Sequence, residues 1–370
     1  MTDFFKKNLQ KIVTEKRSIS PDSKFTILRS GLKNYYSTFQ VFNKKIKLHY
    51  FEGQGFEDLS VMIDHEYILA SYTSILLLHI FFEHYLNAVL LEVHPFLLYN
   101  KLNTEKDVIS LISQKWENIP AAGKNTIDYS LQLGRICELI AKDKDIPNEL
   151  KVPSKYHFIL KHKDGLKILA DQRNEIIHSG DKILPTYAYE LLMVNYVLPL
   201  VRQVLLVEKE IPYISRRTYC DIDIIELLSK IKLPEKHLTS LKKVNENLRK
   251  INHYKELGRA SFENPLGMFA SNHSDESKEN IEKHHNRKLR ESAIKDAEMS
   301  TLMETPHKIH ICPCCGTNSL RTFGIIEDYA SKSKFVLMAK CFLCTYSVNM
   351  SIGEPNEFGI ECDTLFEELS

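Results

Sequence analysis

Two pairs of closely spaced cysteines near the end of the chain place the strongest constraint on its fold. Cys312 and Cys315 are separated by two residues, as are Cys341 and Cys344, and strand-like sequence connects the two pairs. Two intervening residues let the thiolates of a pair turn onto one ion, and four thiolates complete the tetrahedral coordination that zinc prefers. The spacing therefore predicts a structural zinc site with these four cysteines as its ligands.

The segment 306–355 around the cysteines has too little apolar sequence for a core of its own, so we expect metal ligation to supply its folding energy. Paired knuckles on short strands resemble zinc ribbons, which bind nucleic acid or protein. Cys314 is an extra thiol, and His307 and His310 are less regular candidate ligands. An acidic tail, 356–370, follows.

Composition sets the broad class of protein. The chain has 370 residues, 43% of them hydrophobic, so two or three packed domains are expected. Its net charge is +1, so any nucleic-acid contact must come from local basic patches. No stretch of about 18 apolar residues is free of charge and histidine, and the N-terminus lacks the order of a signal peptide. We therefore expect a cytoplasmic protein without membrane contact, in which cysteines outside the knuckles, Cys137, Cys220 and Cys362, are structural or free.

The hydrophobic period divides the rest of the chain into three parts. Residues 1–60 predict a mixed α/β segment, with strand-like runs at Thr38–Phe42 and Ile46–Phe51. Residues 61–230 predict a mainly α, up-and-down helical bundle. The predicted helices cover 67–93, 107–117, 125–143, 154–178 and 186–209.

Residues 231–305 are rich in charge and poor in apolar residues. This composition predicts a linker that is partly helical or disordered. Its basic run, 284–290, is either a solvated helix face or a contact for the RNA backbone.

A polar group interrupts the apolar pattern of the helix predicted at 154–178. The apolar stripe of this helix consists of Ile159, Leu166, Leu169, Ile176 and Ile177. Arg173 stands where the stripe predicts an apolar residue, and a half-buried arginine needs a partner or a function. Gly180 and Asp181 are predicted to end the helix just after His178, where the helix dipole favours the protonated imidazolium.

Arg173, the polar Asn174 directly after it, His178 and the glycine stop at Gly180 resemble the core motif of HEPN ribonuclease domains. The resemblance covers about 61–230, and it implies a HEPN-like bundle with a metal-independent endoribonuclease site. Such domains often serve as toxins or antiviral defence effectors. Arg173, Asn174 and His178 are then the catalytic residues: histidine moves protons, arginine stabilises phosphoryl charge, and asparagine orients the phosphate.

The spacing of the motif also bears on assembly. Five residues place Arg173 and His178 about 140° apart around an ideal helix, so one copy does not easily direct both groups at one phosphate. A homodimer with a two-fold axis beside the helix would bring two copies of each group to one cleft. The expected partners are RNA, a second copy of the chain, and an antitoxin or sensor protein. The alternative is a catalytically inactive HEPN-like module that binds nucleic acid or serves as a protein adaptor.

Overall fold

The computed structural model of the chain describes residues 21–51, 65–98, 127–178, 184–209, 223–235, 241–266, 275–299, 308–327, 334–366 and 368–369. The helices in these ranges are α1 (Pro21–Phe51), α2 (His65–Val93), α3 (Tyr129–Ala141), α4 (Phe158–Lys161), α5 (Lys163–His178), α6 (Thr186–Leu192), α7 (Leu198–Glu208), α8 (Ile224–Lys230), α9 (Leu241–Glu263) and α10 (Asp275–Met299). A π-helical turn, Met193–Val197, joins α6 to α7.

A small antiparallel sheet follows the helices. Its strands are β1 (Ile309–Ile311), β2 (Asn318–Glu327), β3 (Lys334–Cys341), β4 (Ser347–Asn349) and β5 (Glu368–Leu369). The first four strands are hydrogen-bonded in chain order, and β5 pairs with β3. The mainly α fold with a β-type segment near the C-terminus is confirmed, whereas the helix predicted at 107–117 lies outside the described residues.

The chain divides into two compact units. The first unit comprises residues 1–32 and 75–160, and the second comprises 33–74 and 161–370. In the first unit, the Lys155 ammonium lies 2.8 Å from Glu92, and the Tyr156 hydroxyl donates to the same carboxylate. The second unit contains both the cysteine knuckles and the Arg173–His178 motif.

Two helices are long and apolar enough to cross a membrane by length and composition alone. They are α2 and the continuous helical stretch Thr186–Glu208, and 56% of the most apolar window of each is buried inside the protein. Core helices of soluble proteins meet the same criterion, so this finding is weak evidence for a membrane span.

The strands expected at Thr38–Phe42 and Ile46–Phe51 are wrong, because α1 runs through both segments. The aromatic and β-branched residues there favour strands by propensity alone. The buried side chains of α1, however, recur at helical spacing: Phe25, Leu28, Leu32, Tyr35, Tyr36 and Phe39. Packing of this stripe, which reaches Phe39, overrides the local preference for strand at the start of the first segment. Residues 1–20 lie outside the described residues.

The linker expected over 231–305 is also wrong for α9, which is a central helix of the second unit. Every residue from 251 to 261 is buried, although the sequence is polar. The buried polar residues of this helix are Asn252, His253, Lys255, Glu256, Arg259 and Ser261. Hydropathy alone predicts solvent exposure here, because it does not register that buried charges can be compensated by partners elsewhere in the fold.

One of these partners is a carboxylate on α6. The Lys255 ammonium lies 2.5 Å from one oxygen of Glu190, and the Tyr35 hydroxyl donates to the other oxygen at 2.9 Å. Burial lowers the pKa of Lys255 and raises that of Tyr35, while the carboxylate between them opposes the first of these shifts. The three side chains are at most 1% exposed, and they tie α1, α6 and α9 together.

The β segment packs against other residues of α9. Nε2 of His253 lies 3.1 Å from the carbonyl oxygen of Ile352, and the Tyr254 hydroxyl donates to the carbonyl of Phe358 at 2.7 Å. Burial lowers the pKa of His253 to about 4, so its ring is neutral at pH 7. The segment expected to follow a mobile linker is therefore part of the same compact unit as α9.

Helix α10 also contacts the β segment, at two places. The guanidinium of the buried Arg321 on β2 donates to the carbonyl of Ala297 in the last turn of α10, where a cation complements the helix dipole. Arg290 of α10 donates to the carbonyl of Gly316 at 3.4 Å. Of the basic run 284–290, His284, Arg287 and Lys288 are exposed.

The buried pair of Lys255 and Glu190 generates a stability prediction. Lys255→Met should lower the free energy of unfolding by on the order of 3–5 kcal/mol, because it leaves a buried carboxylate without its countercharge. Adding Glu190→Gln should recover part of the loss, since the amide is neutral and still accepts from Tyr35. Urea unfolding of the metal-loaded proteins measures both values. A loss below about 1 kcal/mol for the single variant, or no recovery in the double variant, would contradict this account.

Candidate functional site

The cysteine pairs lie in two turns of the sheet with matching backbone hydrogen bonds. The first turn connects β1 to β2, and in it the amide of Gly316 donates to the carbonyl of Cys312 at 2.8 Å and the amide of Cys312 to that of Thr317 at 3.0 Å. The second turn connects β3 to β4, and the amide of Cys341 donates to the carbonyl of Tyr346 at 2.7 Å. Antiparallel pairing of β2 with β3 places Leu320 opposite Cys341 and so brings the two turns together.

The four sulfur atoms form a cluster suited to one metal ion. Cys312, Cys315, Cys341 and Cys344 are all buried, and their Sγ atoms lie within 4.8 Å of one another. Sγ of Cys312 is 3.5 Å from that of Cys344, and Sγ of Cys315 is 3.7 Å from that of Cys341. Thiolates about 2.3 Å from a tetrahedral ion lie about 3.8 Å apart, so the residues fit a four-cysteine metal centre of the kind that zinc occupies.

The surroundings of Cys341 favour its thiolate form. Hydrogen bonds from the thiols of Cys312, Cys315 and Cys344 lower the pKa of Cys341. The amide of Leu343 donates to its sulfur at 3.4 Å, and the Ser319 hydroxyl lies 3.3 Å from the same atom. Metal ligands must be deprotonated, so these contacts prepare Cys341 for coordination.

The other candidate ligands do not join the cluster. Sγ of Cys314 points to the carbonyl of Leu257 on α9 at 3.9 Å, where it is a buried packing residue. Nδ1 of His310 lies 3.1 Å from a carboxylate oxygen of Asp363, so this less regular candidate is not part of the cluster. His307 and Cys220 lie outside the described residues. Cys137 is buried and Cys362 is half-buried, and neither forms a disulfide with another described cysteine.

The Arg173–His178 motif occupies the last two turns of α5. Arg173 is half-buried and donates from its guanidinium to the Asn174 side-chain oxygen at 2.9 Å. Asn174 and His178 are exposed, and His178 is the last residue of the helix. Among the described residues no carboxylate forms an ion pair with Arg173, and Asp181 lies outside them.

The apolar stripe of α5 holds in its first half only. Leu166 and Leu169 are buried, as is Ile159 before the helix, whereas Ile176 is half-buried and Ile177 is 50% exposed. Gly165 allows the start of α5 to approach the π-helical turn, since a Cβ there would lie 3.1 Å from Cβ of Tyr196. The helix is thus anchored at its beginning and presents its end, with the motif, at the surface.

Sequence reasoning missed three polar residues of α9 that contact Thr345 and Ser347, just after the second cysteine pair: Glu256, Arg259 and Glu263. The only sequence signal for this group is the spacing of three and four residues along one helix, which allows Arg259 to pair with both carboxylates. Such spacing is equally common on exposed helices. Comparison of the chain with protein-family models, with curated proteins and with solved structures finds no match.

The metal centre generates a prediction about metal content. Purified wild-type protein should carry about one zinc ion per chain. Cys312→Ser should lose most of the metal, because a hydroxyl is a poor substitute for a thiolate ligand. Cys314→Ser is the matched control, since Cys314 is close in sequence and equally buried but lies outside the cluster; it should retain the metal. Elemental analysis after dialysis measures all three. Equal metal content in the two variants, or a folded metal-free wild type, would contradict the assignment.

Proposed function

We propose that the chain is a metal-independent endoribonuclease of the HEPN type, with Arg173, Asn174 and His178 as its catalytic residues. The observation that carries this proposal is the exposure of Asn174 and His178 at the end of α5 beside a half-buried guanidinium that has no carboxylate partner among the described residues. A fixed cation and a group that titrates near neutral pH are the two functions that RNA cleavage by an internal nucleophile requires.

The proposed reaction is attack of a ribose 2′-oxygen on the adjacent phosphorus. The imidazole of one His178 accepts the 2′-hydroxyl proton as the bond between the 2′-oxygen and phosphorus forms. A protonated His178 donates a proton to the 5′-oxygen as the bond between phosphorus and the 5′-oxygen breaks. Arg173 stabilises the negative charge that builds on the phosphoryl oxygens, and Asn174 orients the phosphate by hydrogen bonding. The products are a 2′,3′-cyclic phosphate and a 5′-hydroxyl. DNA lacks the nucleophile and should not be cut.

A homodimer with a composite site is part of the proposal. The angular separation of Arg173 and His178 on α5 favours a site completed by a second copy. In this arrangement the second copy would cover Ile177, which is 50% exposed and next to His178. A monomer in light scattering at micromolar concentration would count against it.

The proposed biological role is that of a cytoplasmic toxin or antiviral defence effector that acts on RNA and is inhibited by an antitoxin or controlled by a sensor protein.

The alternative function is that of an inactive HEPN-like adaptor or nucleic-acid-binding protein. The hydrogen bond between Arg173 and Asn174 is the observation that favours it, since it gives the guanidinium a partner without any ligand.

The ribonuclease proposal predicts that Arg173 and His178 are needed together. Arg173→Ala and His178→Ala should each lower the cleavage rate by on the order of 10²–10³, because one loses transition-state charge stabilisation and the other the proton shuttle. The double variant should be little worse than the poorer single variant, and Asn174→Ala should be milder. Lys167→Ala removes an exposed cation from the same helix and serves as the control, with activity near that of wild type.

The assay follows cleavage of total RNA by zinc-loaded protein in buffer without magnesium, with end-group analysis of the products. Truncation to residues 1–305 is not a suitable control, because it would expose the face of α9 that the β segment covers. Equal cleavage by wild type and His178→Ala would contradict the proposal. Products with a 5′-phosphate would contradict the mechanism.

A further inference from the structure

The residue after the second cysteine pair has an unusual backbone. Thr345 follows Cys344 and has a φ of 62°, in the left-handed region. The first turn has a glycine at the equivalent position, Gly316, with a φ of 65°. Glycine adopts this conformation readily, whereas a β-branched residue there is a genuine outlier. Something in the surrounding structure must therefore hold the second turn in the shape that the first turn adopts unaided.

Helix α9 makes the contacts that hold it. The guanidinium of Arg259 donates to the backbone carbonyl of Thr345 at 2.7 Å and to its hydroxyl oxygen at 3.1 Å. The Thr345 hydroxyl donates in turn to the carboxylate of Glu263 at 2.8 Å. Both the backbone and the side chain of the outlier residue are thus fixed by one turn of a helix that lies 86 positions away in sequence at Arg259.

A buried carboxylate completes the arrangement. One oxygen of Glu256 accepts from the Ser347 amide at 2.6 Å and from Arg259 at 2.5 Å, and the other oxygen accepts from Nε of Arg259 at 2.7 Å. The side chains of Glu256 and Arg259 are 0% and 4% exposed. Paired, bidentate geometry fixes the guanidinium plane, and the contact with Ser347 fixes the first residue of β4. Residues on both sides of Tyr346 are therefore attached to α9.

We propose that Arg259, together with Glu256 and Glu263, is a positioning residue for the four-cysteine metal centre. It preforms the second turn, so that Cys341 and Cys344 are held in the geometry that the ion requires before the ion arrives. The metal centre is then not a self-contained ribbon, because its affinity for the ion depends on a helix outside the ribbon. This inference concerns the metal centre alone and holds whether or not the chain cleaves RNA.

The direct test is the affinity of the full-length protein for zinc, measured by competition with a chromophoric chelator. Arg259→Gln should weaken binding by on the order of 10–100-fold, the range typical of residues that orient metal ligands. Arg259→Lys keeps the charge but not the planar set of donors, so its affinity should be intermediate. Cobalt(II) loaded in place of zinc should show weaker or shifted absorption bands in Arg259→Gln, which reports ligand geometry directly.

A double-mutant cycle separates positioning from general loss of stability. Thr345→Gly adopts the left-handed conformation without support, so Arg259→Gln should cost clearly less affinity in that background than in wild type. Ile136→Ala removes buried apolar volume in the first unit, whereas the four cysteines belong to the second, so it should lower stability and leave the affinity within about twofold of wild type. If Arg259→Gln alone does not fold, two other comparisons measure the loss of zinc affinity. Thr345→Gly against the double variant gives the loss with glycine at position 345, and wild type against Arg259→Lys gives the loss with threonine there.

Two results would overturn the proposal. One is an unchanged zinc affinity and an unchanged cobalt(II) spectrum in Arg259→Gln. The other is the same loss with threonine and with glycine at position 345, since Arg259 would then act on overall stability rather than on the shape of the turn.

Discussion

The second unit depends on the compensation of buried charge along one polar helix. Eleven consecutive residues of α9, from 251 to 261, are shielded from water, and burial of charged groups is unfavourable unless each has a partner. Lys255 finds its partner in Glu190 of α6, and Arg259 finds partners in Glu256 and Glu263 of its own helix. The pair of Lys255 and Glu190 attaches α9 to α6, and the group of Arg259, Glu256 and Glu263 attaches it to the second cysteine turn. A helix of this composition is stable only between these two surfaces.

This arrangement gives the four-cysteine cluster a wider structural role than a ribbon on a mobile linker would have. The sheet segment contacts α9 through His253 and Tyr254, and the second turn contacts it through Arg259. The same helix reaches α6, which follows the proposed catalytic helix in the chain. The chemistry proposed at Arg173 and His178 uses no metal, yet the unit that contains these residues also contains the four-cysteine cluster. Loss of the ion should therefore affect more of the unit than the sheet alone.

The sequence predicted those features that local spacing determines. Cys312, Cys315, Cys341 and Cys344 converge as their spacing indicates, and the predicted helices at 67–93 and 186–209 correspond closely to α2 and to the stretch Thr186–Glu208. It failed where distant partners decide the outcome. Hydropathy could not reveal that Glu190 neutralises Lys255 from 65 positions away, and strand propensity at 38–42 could not reveal the packing of α1. The placement of His310 beside Asp363 is likewise set by the fold.

The central claim is that the metal centre and the helices around α9 form one cooperative unit, and hydrogen exchange of the full chain with and without metal tests it most directly. Amide protection should be compared between zinc-loaded protein and protein stripped by a chelator under native conditions. The account predicts that stripping lowers protection in 308–366, throughout α9, and in α6, where Glu190 binds Lys255. Loss of protection confined to 308–366, with α9 and α6 unchanged, would contradict it.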